Sequence, residues 1–417
     1  MTENNQWEEF YYKYKSHFDN LDEDFKQKYI KPNIILSGKT GVGKSTLINA
    51  IFGFDDAETG IGKPVSQALK EFSVPGVDVN LFDTKGLELD STEREVSRSN
   101  IIEEIKRRAK SSSEEDHMHV MWYCISNESK RIEDTEIAWI RDFSKYMPVI
   151  IVLTQTLDTE EELKGYLETE LTGVVICQVL AKDRNIIGHV IPAHGLKVLI
   201  NETMKILPEA TQRAFTAAQK IKIEEKIKSA RQFIQERLDS KGPFNYKNLG
   251  HIADTLPIGL DFIGKGAVYL YIAKDIMTLM GIPVDKNFLK FSKQAKPLIK
   301  SIILPFVFFE GTKTVGKAAM KYGSEKIGTK APTYLTKLLG KSVGKGNIII
   351  SPVVGLILGT FNRKVTEKIA NVFIDVCSDF LRSKINYQEL SYEEIMEILS
   401  KNMAKKMEEN KDEFENN

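Results

Sequence analysis

Nine consecutive residues, Gly38-Lys39-Thr40-Gly41-Val42-Gly43-Lys44-Ser45-Thr46, have the types and spacing to hold a chain of phosphates. They match G-x-x-x-x-G-K-[ST], in which glycines let the backbone curl so that successive N–H groups face phosphate oxygens. The dipole of a following helix adds positive potential at the same point. In this pattern Lys44 reaches the β- and γ-phosphates and the Ser45 hydroxyl ligates magnesium. An apolar run, Asn33 to Leu36, precedes the loop, and a helical pattern through Leu47, Ile48, Ile51 and Phe52 follows it. That is the strand–loop–helix context the chemistry requires.

A second motif narrows the chemistry. The apolar-rich run Val77 to Phe82 ends in Asp83-Thr84-Lys85-Gly86, a D-x-x-G sequence 38 residues after Ser45. A carboxylate at such a strand end can hold magnesium through water, and the Gly86 N–H can sense a γ-phosphate. Between the motifs lies Thr59-Gly60-Ile61-Gly62-Lys63-Pro64-Val65-Ser66-Gln67. A hydroxyl that completes the magnesium shell only beside a γ-phosphate is expected here, with Ser66 first and Thr59 behind it; the bland alternative is a glycine-rich surface loop.

Base recognition is less regular. The run Pro148 to Leu153 leads into Thr154-Gln155-Thr156-Leu157-Asp158, where guanine readers carry Asn-Lys-x-Asp. In one reading Asp158 reads guanine with Gln155 and Thr156 in the Asn and Lys places. In the other, Thr154 and Gln155 fill those places and the acid comes one residue late. In Ile191-Pro192-Ala193-His194-Gly195, the Ala193 N–H is the candidate donor to the guanine oxygen, and His194 is read as a loop side chain.

The elements that must position these residues read as an α/β domain. Apolar runs at 33–36, 77–82, 119–125, 148–153 and 186–191 alternate with stretches long enough for helices, which predicts a mainly parallel sheet covered by helices. Trp7 to Tyr29 carries an aromatic face (Phe10, Tyr14, Phe18, Phe25) at helical spacing, expected to pack on that sheet. Pro208 to Leu238 is read as one connecting helix, ended by Lys241-Gly242-Pro243. Helices are predicted at Leu260 to Met280, Ala295 to Phe309, Val315 to Tyr322 and Val365 to Leu381, with an acidic solvated helix or frayed tail last.

The segments are therefore an N-terminal amphipathic helix (1–30), a nucleotide domain (31–205), a connecting helix (206–240), a basic helical domain (241–387) and an acidic tail (388–417). The 417 residues carry 58 basic and 58 acidic side chains, but the neutrality is a sum of unlike parts. Residues 241–387 hold 22 Lys/Arg against 9 Asp/Glu, while 388–417 hold 4 against 9. Zero net charge argues against a dedicated nucleic-acid binder. The three cysteines are far apart and imply no disulfide framework. Met1 to Gln6 lacks the basic start and apolar run of a signal peptide. No apolar run reaches the roughly 18–20 residues that span a bilayer. Gly346 to Asn362, uncharged but broken by Ser351-Pro352, comes nearest. A cytoplasmic protein, peripheral at the inner face of the membrane, is expected.

Together the two phosphate motifs look like the first and third motifs of a Ras-like GTPase. Residues 31–205 resemble a bacterial Era-like, 50S-ribosome-binding-type GTPase domain, with likeness to the AIG1, chloroplast-import-receptor and septin branch. The matching pieces are GKTGVGKSTLINAIFG at Gly38 to Gly53, TGIGKPVSQ at Thr59 to Gln67, LFDTKGLEL at Leu81 to Leu89, HVMWYCIS at His119 to Ser126 and PVIIVLTQ at Pro148 to Gln155. Leu249 to Met280 is similar to a helical domain of unknown function found behind such GTPases. The resemblance implies a P-loop fold with a mainly α-helical C-terminal domain, and GTP hydrolysis with GTP/GDP and Mg2+. Leu87 stands where the water-orienting Gln is expected, so hydrolysis should be slow or completed from elsewhere. A second protomer across the nucleotide face is one source, as in septin-like relatives. Arg131 and Lys85 are weaker candidates, better read as solvated or phosphate-screening charges. Gly41 stands where potassium-dependent relatives carry Asn, and Cys124, Trp122 and Tyr123 are read as core. For the basic region an anionic membrane surface is the first reading, ahead of a merely solvated helical domain and of RNA or the ribosome.

Overall fold

The structure is a computed structural model. It describes residues 12–53, 63–64, 69–73, 77–84, 91–157, 162–240, 245–246, 261–285, 298, 363–383 and 390–410. Lys26–Lys222 form one compact unit; the described residues up to Phe25 join those from Ile223 onward in another.

The first unit is built on a seven-stranded sheet of β1 (Asn33–Ser37), β2 (Lys63–Pro64), β3 (Leu69–Ser73), β4 (Asn80–Thr84), β5 (Val120–Ser126), β6 (Val149–Thr154) and β7 (Val175–Gln178). Their order is β2-β3-β4-β1-β5-β6-β7, parallel from β4 to β7, with β2 and β3 antiparallel at one edge. Every residue of β1 and β6 is buried, as expected of strands covered on both faces.

Alternation along β5 shows the two faces. Val120, Trp122 and Cys124 join a core with Leu47, Ile48, Ile51 and Phe52 of α2 (Lys44–Phe52), Leu199 of α6 (Leu196–Ile206) and Phe215 of α7 (Glu209–Ala218). Met121, Tyr123 and Ile125 join the opposite core with Ile101 and Ile105 of α3 (Ser91–Arg108), Ile137 and Ile140 of α4 (Asp134–Phe143) and Leu163 of α5 (Glu162–Glu170). Two apolar layers thus clamp the sheet, and its polar groups collect where strands end.

The run 186–191 is not a strand of this sheet. Arg184–Ile186 and His189–Ile191 form a separate hairpin, with Ile187 96% exposed at its tip. The edge position is taken instead by β7, a short half-buried strand.

The stretch expected as one connecting helix is two, α7 and α8 (Ile223–Asp239). The Gln219 side chain causes the break. Its Oε1 accepts from the Ile221 and Lys222 N–H groups at 2.7 and 2.8 Å, replacing the helical ladder. The unit boundary falls at Lys222/Ile223.

The second unit holds α1 (Lys15–Lys28) through Phe25, then α8, α9 (Asp261–Met280), α10 (Arg363–Arg382) and α11 (Tyr392–Glu409). The aromatic face of α1 does not pack on the sheet. Phe18 stacks on Tyr271 at 5.9 Å, and Phe25 meets Phe233 edge-on at 5.3 Å. Helix α10 packs against α8, α9 and α11. Nor is α11 a frayed tail: Ile395, Met396, Leu399, Met403 and Met407 are buried. The expected helices at 295–309 and 315–322 and the run 346–362 lie outside the described residues, apart from Leu298. Among the described residues no helix is long and apolar enough to cross a membrane.

Candidate functional site

The phosphate loop leaves the centre of the sheet, where β1 lies between β4 and β5, and runs from Gly38 into α2. Loops at such a crossing point frame a crevice at the carboxyl ends of the strands. Gly38 has φ 129°, and a Cβ there would stand 2.2 Å from the Cys124 carbonyl oxygen. Only glycine lets the chain turn this close to β5. Burial beneath the loop pushes the Cys124 thiol up to about 12, with Lys44 opposing and Asp83 adding to the shift.

The Lys44 ammonium donates to the carbonyls of Gly38 at 2.6 Å and Lys39 at 3.0 Å. An ammonium has three protons, so two loop carbonyls fix its place and one proton remains for an anion. Ser45 and Thr46 follow, half-buried, on the first turn of α2. Asp83 lies beside this loop because β4 pairs with β1, Asp83 opposite Leu36. The next pair of side chains is also joined, Thr84 donating to the Ser37 hydroxyl at 3.2 Å. The structure thus brings together Gly38 to Thr46 and Asp83. Thr59, Ser66, Lys85, Gly86, Leu87 and Asp158 lie outside the described residues.

On the base side, the structure brings Thr154 and Gln155 to the loop and turns Thr156 away. Thr154 Oγ1 donates to the Val42 carbonyl and lies 3.1 Å from the Ile125 carbonyl. Gln155 follows with φ 54°, a conformation uncommon outside glycine. Its Oε1 accepts from the Ser126 hydroxyl at 2.5 Å. Thr156 is buried, its hydroxyl donating to the Leu153 carbonyl at 2.8 Å.

Ala193 is exposed, but its N–H already donates to Asp183 Oδ1 at 2.7 Å, so the expected guanine donor is engaged by a neighbouring carboxylate. The adjoining His194 pairs through its backbone with Leu180. Gly195 is fixed there by space: a Cβ would stand 1.9 Å from the Gln178 carbonyl oxygen. Trp122 and Tyr123 are buried in the two cores as expected, the Trp122 indole donating to Thr203 at 3.1 Å. Arg131 is exposed on the rim of a groove of about 1020 Å³ along the loop, whose walls include Lys39, Val42, Ser126, Glu133 and Tyr166.

Sequence reasoning missed the ion pairs behind the loop. Lys39 meets Glu133 at 2.6 Å and Glu136 at 3.1 Å, and Arg94 meets the same Glu133 at 3.2 Å. Burial alone would lower the Lys39 pKa, but its bonds to Glu133 and Glu136 raise it, so the ammonium stays charged.

Residues 33–155 match the model of the 50S ribosome-binding GTPase family. The sheet unit carries a P-loop GTPase domain. The chemistry of such a domain is hydrolysis of GTP to GDP with magnesium, and the loop fits both groups: a fixed ammonium and helix N-terminus for phosphates, Ser45 and Asp83 for the cation. The tRNA modification GTPase MnmE of Burkholderia ambifaria is 29% identical over 150 residues, 35% of this chain and 27% of that protein. Translocase of chloroplast 90 of Arabidopsis thaliana is 39% identical over 79 residues, 18% of this chain and 10% of that protein. Among solved structures, a probable GTP-binding protein engB is 17% identical, covering 42% of this chain and 97% of that one with a TM-score of 0.30. The chain spans about a quarter of the length of the MnmE relatives it matches.

Proposed function

We propose that this chain is a GTP-switched protein that hydrolyses GTP slowly and acts at a membrane surface through its basic helical region. The observation that carries the nucleotide half is the Lys44 ammonium held at 2.6 and 3.0 Å by two carbonyls of its own loop. Lys44 and the N–H groups of Lys39 to Thr46 bind the phosphates, and Ser45, Ser66 and Asp83 hold magnesium. Magnesium, when bound, offsets negative charge on the phosphate oxygens. Gly86 senses the γ-phosphate. Thr154 ties the base-side turn to the loop, Gln155 lies against the nucleotide, and Asp158 is the remaining base contact, the Ala193 N–H being held by Asp183. Leu87 cannot orient water, so the rate is low unless a second protomer completes the site.

The membrane half rests on charge. Residues 241–387 carry an excess of 13 positive charges, and each well-placed Lys is worth about 1 kcal/mol at an anionic surface. The ribosome-binding name of the matching family favours a second reading, in which the basic region meets RNA.

Titration with fluorescent GTP and ATP tests the site. We expect GTP to bind more tightly than ATP, and Lys44→Ala to weaken GTP about 100-fold or more, the scale of lost charge-assisted bonds to phosphate. Retained affinity in that variant overturns the assignment. Flotation of the full chain with phosphatidylserine vesicles, with and without a non-hydrolysable GTP analogue, tests the membrane half. A chain that stays in solution in both states at low salt, or that instead sediments with ribosomes, sinks it.

A further inference from the structure

Behind the phosphate loop, charged groups from three elements form a continuous series of contacts. Lys44 donates to the Lys39 carbonyl at 3.0 Å, while the Lys39 side chain reaches Glu133 Oε1 at 2.6 Å and Glu136 Oε2 at 3.1 Å. Glu133 Oε2 meets Arg94 Nη1 at 3.2 Å. Lys39 belongs to the loop, Glu133 caps α4, and Arg94 sits in the first turn of α3. That helix begins at Ser91, five residues past Gly86. Glu133 is therefore the one residue in this series that touches both the loop and the helix behind D-x-x-G.

The cluster is built rather than incidental. The Glu133 N–H donates to Glu136 Oε2 at 3.2 Å in a capping box, which fixes the backbone carrying both carboxylates. Glu136 is buried, an expensive position for a carboxylate unless it is paired. The Tyr123 hydroxyl is buried with no hydrogen-bond partner. It lies within electrostatic reach of Glu136 and Glu133. The Lys39–Glu133 contact closes a separation of 94 residues, so it is a tertiary constraint on the loop and not a local pair.

We infer that Glu133 is a positioning residue for GTP hydrolysis, joining Lys39 of the phosphate loop to Arg94 of the helix behind Asp83–Gly86. This rests on the reading of the loop as a GTP site. Arg94 and Lys39 are thus tied through one carboxylate, and Lys39 is the residue whose carbonyl holds the Lys44 ammonium. Glu133 touches no substrate atom; it acts through Lys39.

The test uses the full chain with Glu133→Gln, Arg94→Gln, the double variant and Arg94→Lys. Single-turnover hydrolysis and GTP affinity are measured at about 50 mM salt, where half-exposed pairs are least screened. Each neutral variant is expected to slow hydrolysis about fivefold while GTP affinity stays within about twofold, the scale of one partly exposed ion pair. The double variant should be no slower than either single one, and Arg94→Lys should restore most of the rate. Unchanged rates, additive losses, or a parallel fall of affinity and melting temperature overturn this role. Failure of the GTP reading is distinguishable, because the unaltered chain would then not bind GTP at all.

Discussion

The two units treat buried polar groups in opposite ways. In the sheet unit both cores are apolar, and the polar side chains of the site gather at strand ends, where a ligand can meet them. In the helical unit a charge cluster lies inside the core. Arg237 and Asp275 are both 0% exposed, 3.5 Å apart. Arg237 also reaches Asp24 at 3.1 Å and the Leu21 carbonyl at 2.9 Å, and Tyr246 donates to Asp275 at 2.6 Å. Burial pushes the Asp275 carboxyl up despite the guanidinium beside it. The guanidinium lies over the rings of Phe233, Tyr246 and Phe25 at 5.1, 5.6 and 5.9 Å. Lys44, Ser45 and Asp83 of the first unit sit at strand ends, where a ligand can meet them. The buried polar groups of the second are aimed at one another, and they fix how α1, α8 and α9 meet.

The largest effect should come from removing that cluster's cation. Arg237→Ala leaves Asp275 buried beside a cavity, a kind of loss that costs about 3–5 kcal/mol. We expect the helical unit to unfold at clearly lower urea, while GTP affinity, carried by Lys26–Lys222, stays. Replacing both partners, Arg237→Met with Asp275→Leu, should recover most of the stability, because an apolar pair of similar volume needs no compensation. If Arg237→Ala melts like the unaltered chain, the cluster is not what holds α1 to α8 and α9.

The sheet unit has its own buried titrating group, at the end of β5 away from the loop. His119 is buried and its Nδ1 accepts the Asn33 N–H at 2.9 Å. Burial, and then nearby His117, lower its pKa from 6.5 to about 4 against two raising backbone bonds. Because the folded value lies below the unfolded one, the folded state resists protonation. Stability is whole above about pH 6.5, falls as pH drops towards about 4 and levels off below, a loss of about 3 kcal/mol. Urea unfolding of the sheet unit between pH 7.5 and 4 should show this slope, and His119→Gln should flatten it. Equal slopes in both proteins would show that other groups set the acid limit.

The contrast also explains what could be read from the chain alone. Gly38 to Thr46 was legible because a phosphate loop is contiguous: its glycines, lysine and hydroxyl must follow one another. Strands β1, β4, β5 and β6 were legible because burial on both faces forces apolar runs. Strand β7 was not among the expected strands, although Val174-Val175-Ile176-Cys177 is an apolar run of the same kind. The hairpin at Arg184–Ile191 misled because Ile187 and Val190 are apolar but exposed. The break at Gln219 carries no glycine or proline, only a side chain that bonds its own backbone. Contacts such as Lys39–Glu133 and Arg237–Asp24 join residues far apart in sequence, and charges that look solvated in the chain become paired only on folding.

The last helix gives the smallest and most local test of that contrast, because it was expected to be solvated and is instead docked. Its start is a capping box: the Ser391 N–H donates to Glu394 Oε2 at 2.8 Å, and the Glu394 N–H donates to Ser391 Oγ at 3.3 Å. Its apolar stripe, Ile395, Met396, Leu399, Met403 and Met407, is buried, and α11 packs on α10. A cap on a frayed tail contributes nothing to global unfolding, because the tail is already open in the folded state. A cap on a docked helix contributes in full. Ser391→Ala should therefore lower the stability of the helical unit by about 1 kcal/mol, and Ser391→Asp, which keeps an acceptor at the cap, should cost much less. An unfolding midpoint identical in all three proteins would return α11 to the status of a solvated tail. A loss confined to Ser391→Ala would place it, with Arg237, among the structures that hold the helical unit together.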